Sequence, residues 1–191
     1  MDFTGFQWTN GSALRQEGEW LVITAPAKTD VFCDPQGVAT NLNAPFYHTD
    51  VTGDFTLRAR VRHAFRSTYD ACVLMAMASP DVWAKVCFEA TDFGTRAAVS
   101  VVTKGVSDDA NGPDLDADTV WLQLCRRGDA FACHYSRDGK NWRMTRCFSL
   151  PAGETMQVGL VAQSPAGPGA ELFFSHVELL PAAPENLRAG V

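Results

Sequence analysis

The sequence predicts an all-β protein built as a two-sheet antiparallel jelly-roll sandwich. Apolar and polar residues alternate along many short segments, the pattern of strands that bury one face. These segments are rich in Val, Phe, Trp and Leu, and clusters of Gly, Pro, Asp and Asn separate them at short intervals. A chain of 191 residues can also bury one sizeable core without metals or disulfides to hold it together. We therefore expect one domain over residues 1–180, with residues 181–191 as a C-terminal tail.

The strand candidates follow one another along most of the chain. Residues 54–62 show the clearest alternation: Phe55 and Leu57 belong to an inward face, and Arg58 and Arg60 belong to an outward face. The other strands were assigned by the same pattern and by the turn formers between them. In chain order, we expect strands at residues 19–24, 54–62, 71–78, 82–90, 96–103, 119–127, 130–136, 142–149, 156–163 and 171–180.

One turn and two longer connections complete the predicted chain. Asp138 and Gly139 tolerate the backbone angles of a tight reversal, so we assign Asp138 to a hairpin turn and not to chemistry. Residues 25–54 and 104–118 are predicted to be irregular loops, which in compact domains are often functional. The second is acidic and could supply oxygen ligands to calcium, but it lacks the EF-hand spacing, so we predict a solvated loop. No metal and no cofactor is predicted.

The composition limits which binding partners and which cellular compartment we expect. A net charge of −6 provides no basic stripe for nucleic acid. The sequence has neither eighteen consecutive apolar residues nor a basic, apolar leader, so we expect a soluble protein with no membrane partner. The six cysteines lie mostly in apolar runs without a C-x-x-C spacing, which favours reduced thiols and a cytoplasmic location. The oligomeric state is not predicted.

The candidate site centres on residues 82–90. In a strand, Trp83, Lys85 and Glu89 share one face while apolar residues share the other, so we expect the polar face to look outward from the sheet. An aromatic ring beside several charged groups suits the binding of a polyhydroxyl ligand. Because this face is expected to be open, alanine at Lys85 or Asp70 should cost little stability. The predicted ligand-binding residues are Tyr69, Asp70, Trp83, Lys85 and Glu89, with Thr103, Ser107 and Asp108 at the rim.

A family resemblance agrees with this interpretation. It covers nearly the whole chain and rests on a succession of short motifs: Gly53-Asp54-Phe55, Tyr69-Asp70, Trp83-x-Lys85-x-x-x-Glu89, Ser107-Asp108 and Ser136-x-Asp138-Gly139-x-x-Trp142. The chain resembles the concanavalin A-like domains named after the yeast regulation of enolase protein, a family known as domain of unknown function 1349. The resemblance implies a sandwich of the lectin/glucanase type and an association with carbohydrate metabolism. The chain departs from the family where aromatic residues are usual, at Val31-Phe32 and at Asp109.

Three functions are compatible with these residues. The first, which we favour, is the binding of a saccharide. The second is a glycoside-active, hydrolase-like enzyme that uses Glu89 with Asp70 or Asp108, because Lys85 stands about 13 Å from Glu89 along an extended strand and cannot be its direct partner. The missing glucanase pattern E-x-D-x-E places this function below binding. The third is a structural or regulatory protein-interaction domain. The motifs of serine hydrolases, zinc proteases and nucleotide-binding proteins do not occur.

Overall fold

The computed structural model describes residues 3–191, which form strands, turns and connections and no helix. No part of this range provides a helix able to cross a membrane. The strands are β1 (Gln7–Thr9), β2 (Leu14–Glu17), β3 (Trp20–Pro26), β4 (Val31–Cys33), β5 (Thr40–Leu42), β6 (Phe46–Thr52), β7 (Phe55–Arg62), β8 (Ala71–Ser79), β9 (Val82–Ala90), β10 (Arg96–Lys104), β11 (Val106–Asp114), β12 (Thr119–Arg127), β13 (Ala130–Ser136), β14 (Arg143–Ser149), β15 (Thr155–Gln163) and β16 (Gly169–Leu180).

Two seven-stranded antiparallel sheets pack face to face. The first sheet has the strand order β1-β6-β15-β8-β9-β10-β11, and the second has the order β14-β13-β12-β7-β16-β3-β2. Strands distant in sequence lie side by side, as where β15 enters between β6 and β8. This arrangement confirms the predicted jelly-roll sandwich, and each predicted strand is present with ends close to those expected.

The core between the sheets comes from the alternation noted in the sequence. On β7, Phe55, Leu57 and Val61 have no exposed surface, and they pack against residues such as Phe88 of the first sheet. Burying a large apolar side chain contributes roughly 1.5–3 kcal/mol, so this shared inner face is the main source of stability.

The two predicted loops are largely strands, which corrects the sequence-based expectation. Residues 104–118 contain β11, an edge strand paired with β10 from Val106 to Asp114. Residues 25–54 contain β4, β5 and β6. An edge strand such as β11 is held by backbone hydrogen bonds on one side and exposes most of its side chains, so its sequence lacks the alternation by which strands are recognised.

The predicted role of Asp138 in a turn is confirmed. Its carboxylate accepts hydrogen bonds from the amides of Lys140 at 2.9 Å and Asn141 at 2.8 Å and from the Ser136 hydroxyl at 2.9 Å. These donors, above all those of Asn141, hold the pKa of Asp138 well below its usual range. Gly139 follows with a φ of 74°, which favours glycine.

The C-terminal segment lies against the outer face of the second sheet. The Thr56 hydroxyl donates to the carbonyl of Ala182 at 2.8 Å, and the Gln123 amide donates to that of Gly190 at 3.1 Å. The division of the chain at residue 180 stays a prediction, but residues 181–191 are held to the sandwich by these bonds. All six cysteines are free, five of them buried and only Cys147 exposed.

Candidate functional site

A second apolar layer covers part of the outer face of the first sheet. Val31 and Cys33 of β4, which pairs with β5 outside the two large sheets, pack over Phe46, Trp83 and Val101 of the first sheet. Trp83 therefore has no exposed surface, and its indole N–H donates to the carbonyl of Pro80 at 3.2 Å. This corrects the expectation of an open face: Trp83 supports the covering layer, and its ring cannot stack on a ligand from solvent.

Lys85 joins the sheet to that covering layer. It is only 2% exposed, and its ammonium donates to the carbonyl of Val31 at 2.7 Å and to Oε1 of Gln163 at 2.9 Å. Oδ1 of Asp30 lies 3.5 Å from the same nitrogen. Burial alone would lower the pKa of Lys85, but the charge of Asp30 and of more distant acids raises it. Lys85 is thus a buried cation held by two hydrogen bonds and one ion pair.

A pocket of about 210 Å³ opens beside this ammonium, and we call it the Lys85 pocket. It is smaller than the roughly 300–1,000 Å³ of pockets that hold drug-sized ligands, so it suits a small molecule. Its walls combine three acids, one cation, one amide, two aromatic rings and one aliphatic side chain. The lining residues are Asp30, Phe32, Tyr69, Lys85, Glu89, Val101, Asp109 and Gln163.

Glu89 is the most unusual group in the pocket. It is 8% exposed, and within residues 3–191 its carboxyl group has no hydrogen-bond or ion-pair partner. Burial raises its pKa to about 8; the ammonium of Lys85 opposes this shift, while Asp109 and Asp30 add to it. At neutral pH, Glu89 therefore holds a proton most of the time and can donate it to a ligand.

Asp109 and Tyr69 stand at the entrance. Asp109 of β11 pairs with Val101 of β10, which in turn pairs with Lys85 of β9, so the three side chains lie in one row on the same face. Burial raises the pKa of Asp109, whereas the Lys85 charge lowers it. Tyr69 is 40% exposed and has a left-handed φ of 69°, a conformation that persists where surrounding contacts hold it. One such contact is the bond from its amide to the carbonyl of Ala90 at 2.7 Å.

Asp70, a predicted site residue, lies outside the pocket. It has no exposed surface, and Oδ2 accepts from the amides of Arg66 at 2.9 Å and Ser67 at 3.0 Å. Oδ1 accepts from the hydroxyl of Ser164 at 2.7 Å. Both oxygens are therefore occupied in holding the turn before β8, and the structure does not bring Asp70 together with Glu89 as an acid pair.

Asp108 points away from the pocket because neighbouring residues of a strand face opposite sides. Its side chain is 74% exposed and pairs with Arg146 at 2.8 Å. The expected rim residues Thr103 and Ser107 are buried, with their hydroxyl oxygens 2.9 Å apart. Ser107 also accepts from the amide of Cys33 at 2.9 Å. These two hydroxyl groups anchor β4 over the sheet and do not line the pocket.

Of the predicted residues, the structure thus brings Tyr69, Lys85 and Glu89 together in one pocket. Sequence reasoning missed the other lining residues: Asp30, Phe32, Val101, Asp109 and Gln163. Two of these, Phe32 and Asp109, lie where the chain departs from its family pattern, which was the one available signal. Within residues 3–191, no group of three or more His, Cys, Asp or Glu side chains is arranged to hold a metal ion.

The fold and the pocket define a jelly-roll β-sandwich with one small, polar, aromatic-walled cavity on the covered face of a sheet. The chain belongs to the family described as Protein of unknown function (DUF1349), which matches residues 8–182. The crystal structure of a functionally unknown protein from Saccharomyces cerevisiae is similar, with 25% identity and a TM-score of 0.87 over 97% of this chain and 100% of that one.

Two further solved structures share the fold at lower identity. The carbohydrate binding module CBM66 from Bacillus subtilis has 12% identity and a TM-score of 0.59, over 92% of this chain and 95% of that one. The GH43 protein BlXynB from Bacillus licheniformis has 13% identity and a TM-score of 0.68, over 95% of this chain but only 40% of the longer one. No curated protein matches the sequence.

Proposed function

We propose that this protein binds a small saccharide in the Lys85 pocket. The observation that carries the proposal is Glu89, a buried carboxyl group with no partner in residues 3–191 that faces a small cavity. Its carboxyl group lines the cavity, so a ligand that enters can supply the hydrogen bonds that the described residues do not. Sugar hydroxyl groups both donate and accept, and Glu89, Asp109 and Gln163 offer complementary atoms.

The walls of the pocket support the same kind of ligand. Phe32 and Tyr69 provide aromatic surface against which the apolar face of a sugar ring can pack. The sandwich is also an architecture used by a carbohydrate binding module and by a part of GH43 glycoside hydrolases. The narrower resemblance to the yeast regulation of enolase protein and the cytoplasmic location stay predictions, and we propose no nucleic-acid or membrane partner.

A second candidate function is the chemical processing of a glycoside, and Glu89 favours it as well. A carboxyl group whose pKa is about 8 keeps its proton at neutral pH, which is what a general acid needs. Its partner would be Asp109, which shares the pocket, rather than Asp70 or Asp108, which do not. We place binding first because the polar and aromatic lining of the pocket is enough to bind a sugar, whereas a reaction needs a placed water or nucleophile as well.

Calorimetry with a panel of mono- and disaccharides tests both functions. A binding protein should give saturable heats with at least one sugar, and chromatography should recover that sugar unchanged. An enzyme should convert a glycoside, and Glu89→Gln should abolish conversion while binding stays within about tenfold, because an amide cannot transfer the proton. Glu178→Gln, the same change at an exposed position on the second sheet, is the control.

The absence of binding and of turnover across the panel would refute both proposals. That outcome would favour the third function considered from the sequence, a protein-interaction domain. The pocket variant and the control should then be indistinguishable in every sugar assay.

A further inference from the structure

We infer that the preferred ligand of the Lys85 pocket carries a primary ammonium group, as an amino sugar does, and that Glu89 and Asp109 receive this group. This inference rests on the proposed saccharide binding and adds the charge of the ligand to it. The argument comes from how the charges in the pocket are already paired.

Among the described residues that line the pocket, Lys85 is the only cation, and its charge is already paired. Three acids and one ammonium line the cavity: Asp30, Glu89, Asp109 and Lys85. The ammonium donates to the carbonyl of Val31 and to Oε1 of Gln163, and it forms an ion pair with Asp30 at 3.5 Å. Asp30 in turn accepts from the amide of Val31 at 2.7 Å. The charges of Lys85 and Asp30 therefore balance each other, and both groups also bond to Val31 of the covering layer. Neither group is available to balance a further charge.

Glu89 and Asp109 remain without a cation of their own. Glu89 is more than nine-tenths buried and has no partner in the described part of the chain. The guanidinium of Arg146 lowers the pKa of Asp109, but it pairs with Asp108 at 2.8 Å on the other side of β11. Two carboxyl groups that face one cavity disfavour each other's ionisation, and an ammonium between them removes that penalty. A neutral hydroxyl group cannot do so.

The walls favour an organic cation over a metal ion. No group of three or more possible metal ligands is arranged for coordination within residues 3–191. Phe32 and Tyr69 give the pocket apolar and aromatic surface, which a bare metal ion would not use. An ammonium attached to a ring can pack its body on these side chains and gain a cation–π contribution. An amino sugar combines this charge with the hydroxyl groups that Gln163 can bind.

The first experiment compares four probes by calorimetry at pH 7: D-glucosamine, N-acetyl-D-glucosamine, D-glucose and cyclohexylamine. Charge-assisted hydrogen bonds are about twice as strong as neutral ones, so D-glucosamine should bind about tenfold or more tightly than D-glucose. N-acetyl-D-glucosamine keeps the nitrogen but loses its charge, and it should bind no better than D-glucose. Cyclohexylamine tests the ammonium without sugar hydroxyl groups.

The second experiment uses variants to test whether Glu89 and Asp109 cause the preference for D-glucosamine. Glu89→Gln and Asp109→Asn keep the size of each side chain and remove its ability to become a carboxylate beside a bound ammonium, so each should reduce the preference for D-glucosamine over D-glucose to about threefold or less. Glu178→Gln changes the net charge by the same amount on the outer face of the second sheet and should leave the preference unchanged.

Each result bears on one proposal or the other. If D-glucose binds as tightly as D-glucosamine, the inference is overturned while saccharide binding stands. If cyclohexylamine binds and no sugar does, the ammonium site stands and the saccharide proposal fails. Saturable calcium binding that is lost in Glu89→Gln would overturn the inference in favour of a metal. If none of the probes binds, both proposals are overturned.

Discussion

Replacing Glu89 by glutamine should stabilise the protein at alkaline pH. Glu89 is 8% exposed, lies in the Lys85 pocket and has no partner within residues 3–191. Above its pKa of about 8, the folded protein must hold a buried, unpaired charge. Glutamine has nearly the same shape and no charge, so the substitution isolates the cost of ionisation from that of packing.

The magnitude follows from the pKa. Burial raises the pKa of Glu89 from 4.5 to about 8. At 1.36 kcal/mol for each pKa unit, this difference makes ionised Glu89 destabilising by up to about 5 kcal/mol. The amide of the variant is itself buried, and an unsatisfied buried polar group costs about 1–3 kcal/mol. The variant should therefore be more stable than the wild type by roughly 2–4 kcal/mol at pH 9.

The direction of the pH dependence is a separate test. The pKa of Glu89 is higher in the folded protein than in the unfolded chain. The stability that protonated Glu89 contributes is therefore fully present below the unfolded pKa and is lost as the pH rises to about 8. Wild-type stability should fall over this window relative to the variant. The charged and titratable groups that act on Glu89 or share its pocket are common to both proteins: Lys85, Cys87, Asp30, Asp92, Asp109 and Tyr69.

Urea denaturation at pH 5, 7 and 9 measures the effect. At pH 5 the amide cost remains while the ionisation cost is mostly absent, so the variant should be equal to or up to about 2 kcal/mol less stable than the wild type, and at pH 9 it should be the more stable protein. Glu178→Gln, at an exposed position, should follow the wild type throughout. Equal stabilities at pH 9, or a gap of the same size at pH 5, would show that Glu89 is not a buried, unpaired acid and would remove the main support for the pocket.

Three further predictions concern the surroundings of the site. Lys85→Ala should cost about 3–5 kcal/mol, as much as the cavity expected of Leu57→Ala, because it leaves Asp30 unpaired; a loss below about 1 kcal/mol in denaturation would contradict the anchoring role of Lys85. Asp70→Ala should lower stability by about 1–3 kcal/mol for each donor left unpaired, and an unchanged melting temperature would be the opposing result. Cys147 alone should react rapidly with a thiol reagent in the folded protein, and a second fast thiol would show that the other five are not buried.

The predictions for Lys85→Ala and Asp70→Ala replace an expectation drawn from the sequence. Lys85 and Asp70 looked like members of an open, solvated face, where alanine costs little. The structure buries both residues and gives their charged atoms several hydrogen bonds each. Charged residues alternating with apolar ones indicate two faces of a strand, but they do not indicate whether another segment covers the polar face.

Much of the sandwich could be predicted from the sequence because each central strand buries at least one apolar face. β7 shows this directly: the alternation of Phe55 and Leu57 with Arg58 and Arg60 reappears as buried and partly exposed positions. Three of the four edge strands, β1, β2 and β11, were not predicted; β11, for example, exposes most of its side chains and depends on backbone bonds to β10. Residues 104–118 consequently have the composition of a loop, although most of them form β11, which pairs with β10 in a hairpin.

The sequence by itself determined the all-β architecture, the turn at Asp138 and the fact that Lys85 and Glu89 share one face of β9, because these depend on neighbours a few residues away. Only the tertiary structure decided which groups form the site. Val31 and Asp30 meet Lys85 from 54 and 55 positions earlier in the chain, and Gln163 meets it from 78 positions later. A local pattern has no information about such contacts, which exist only once the covering layer has packed on the sheet.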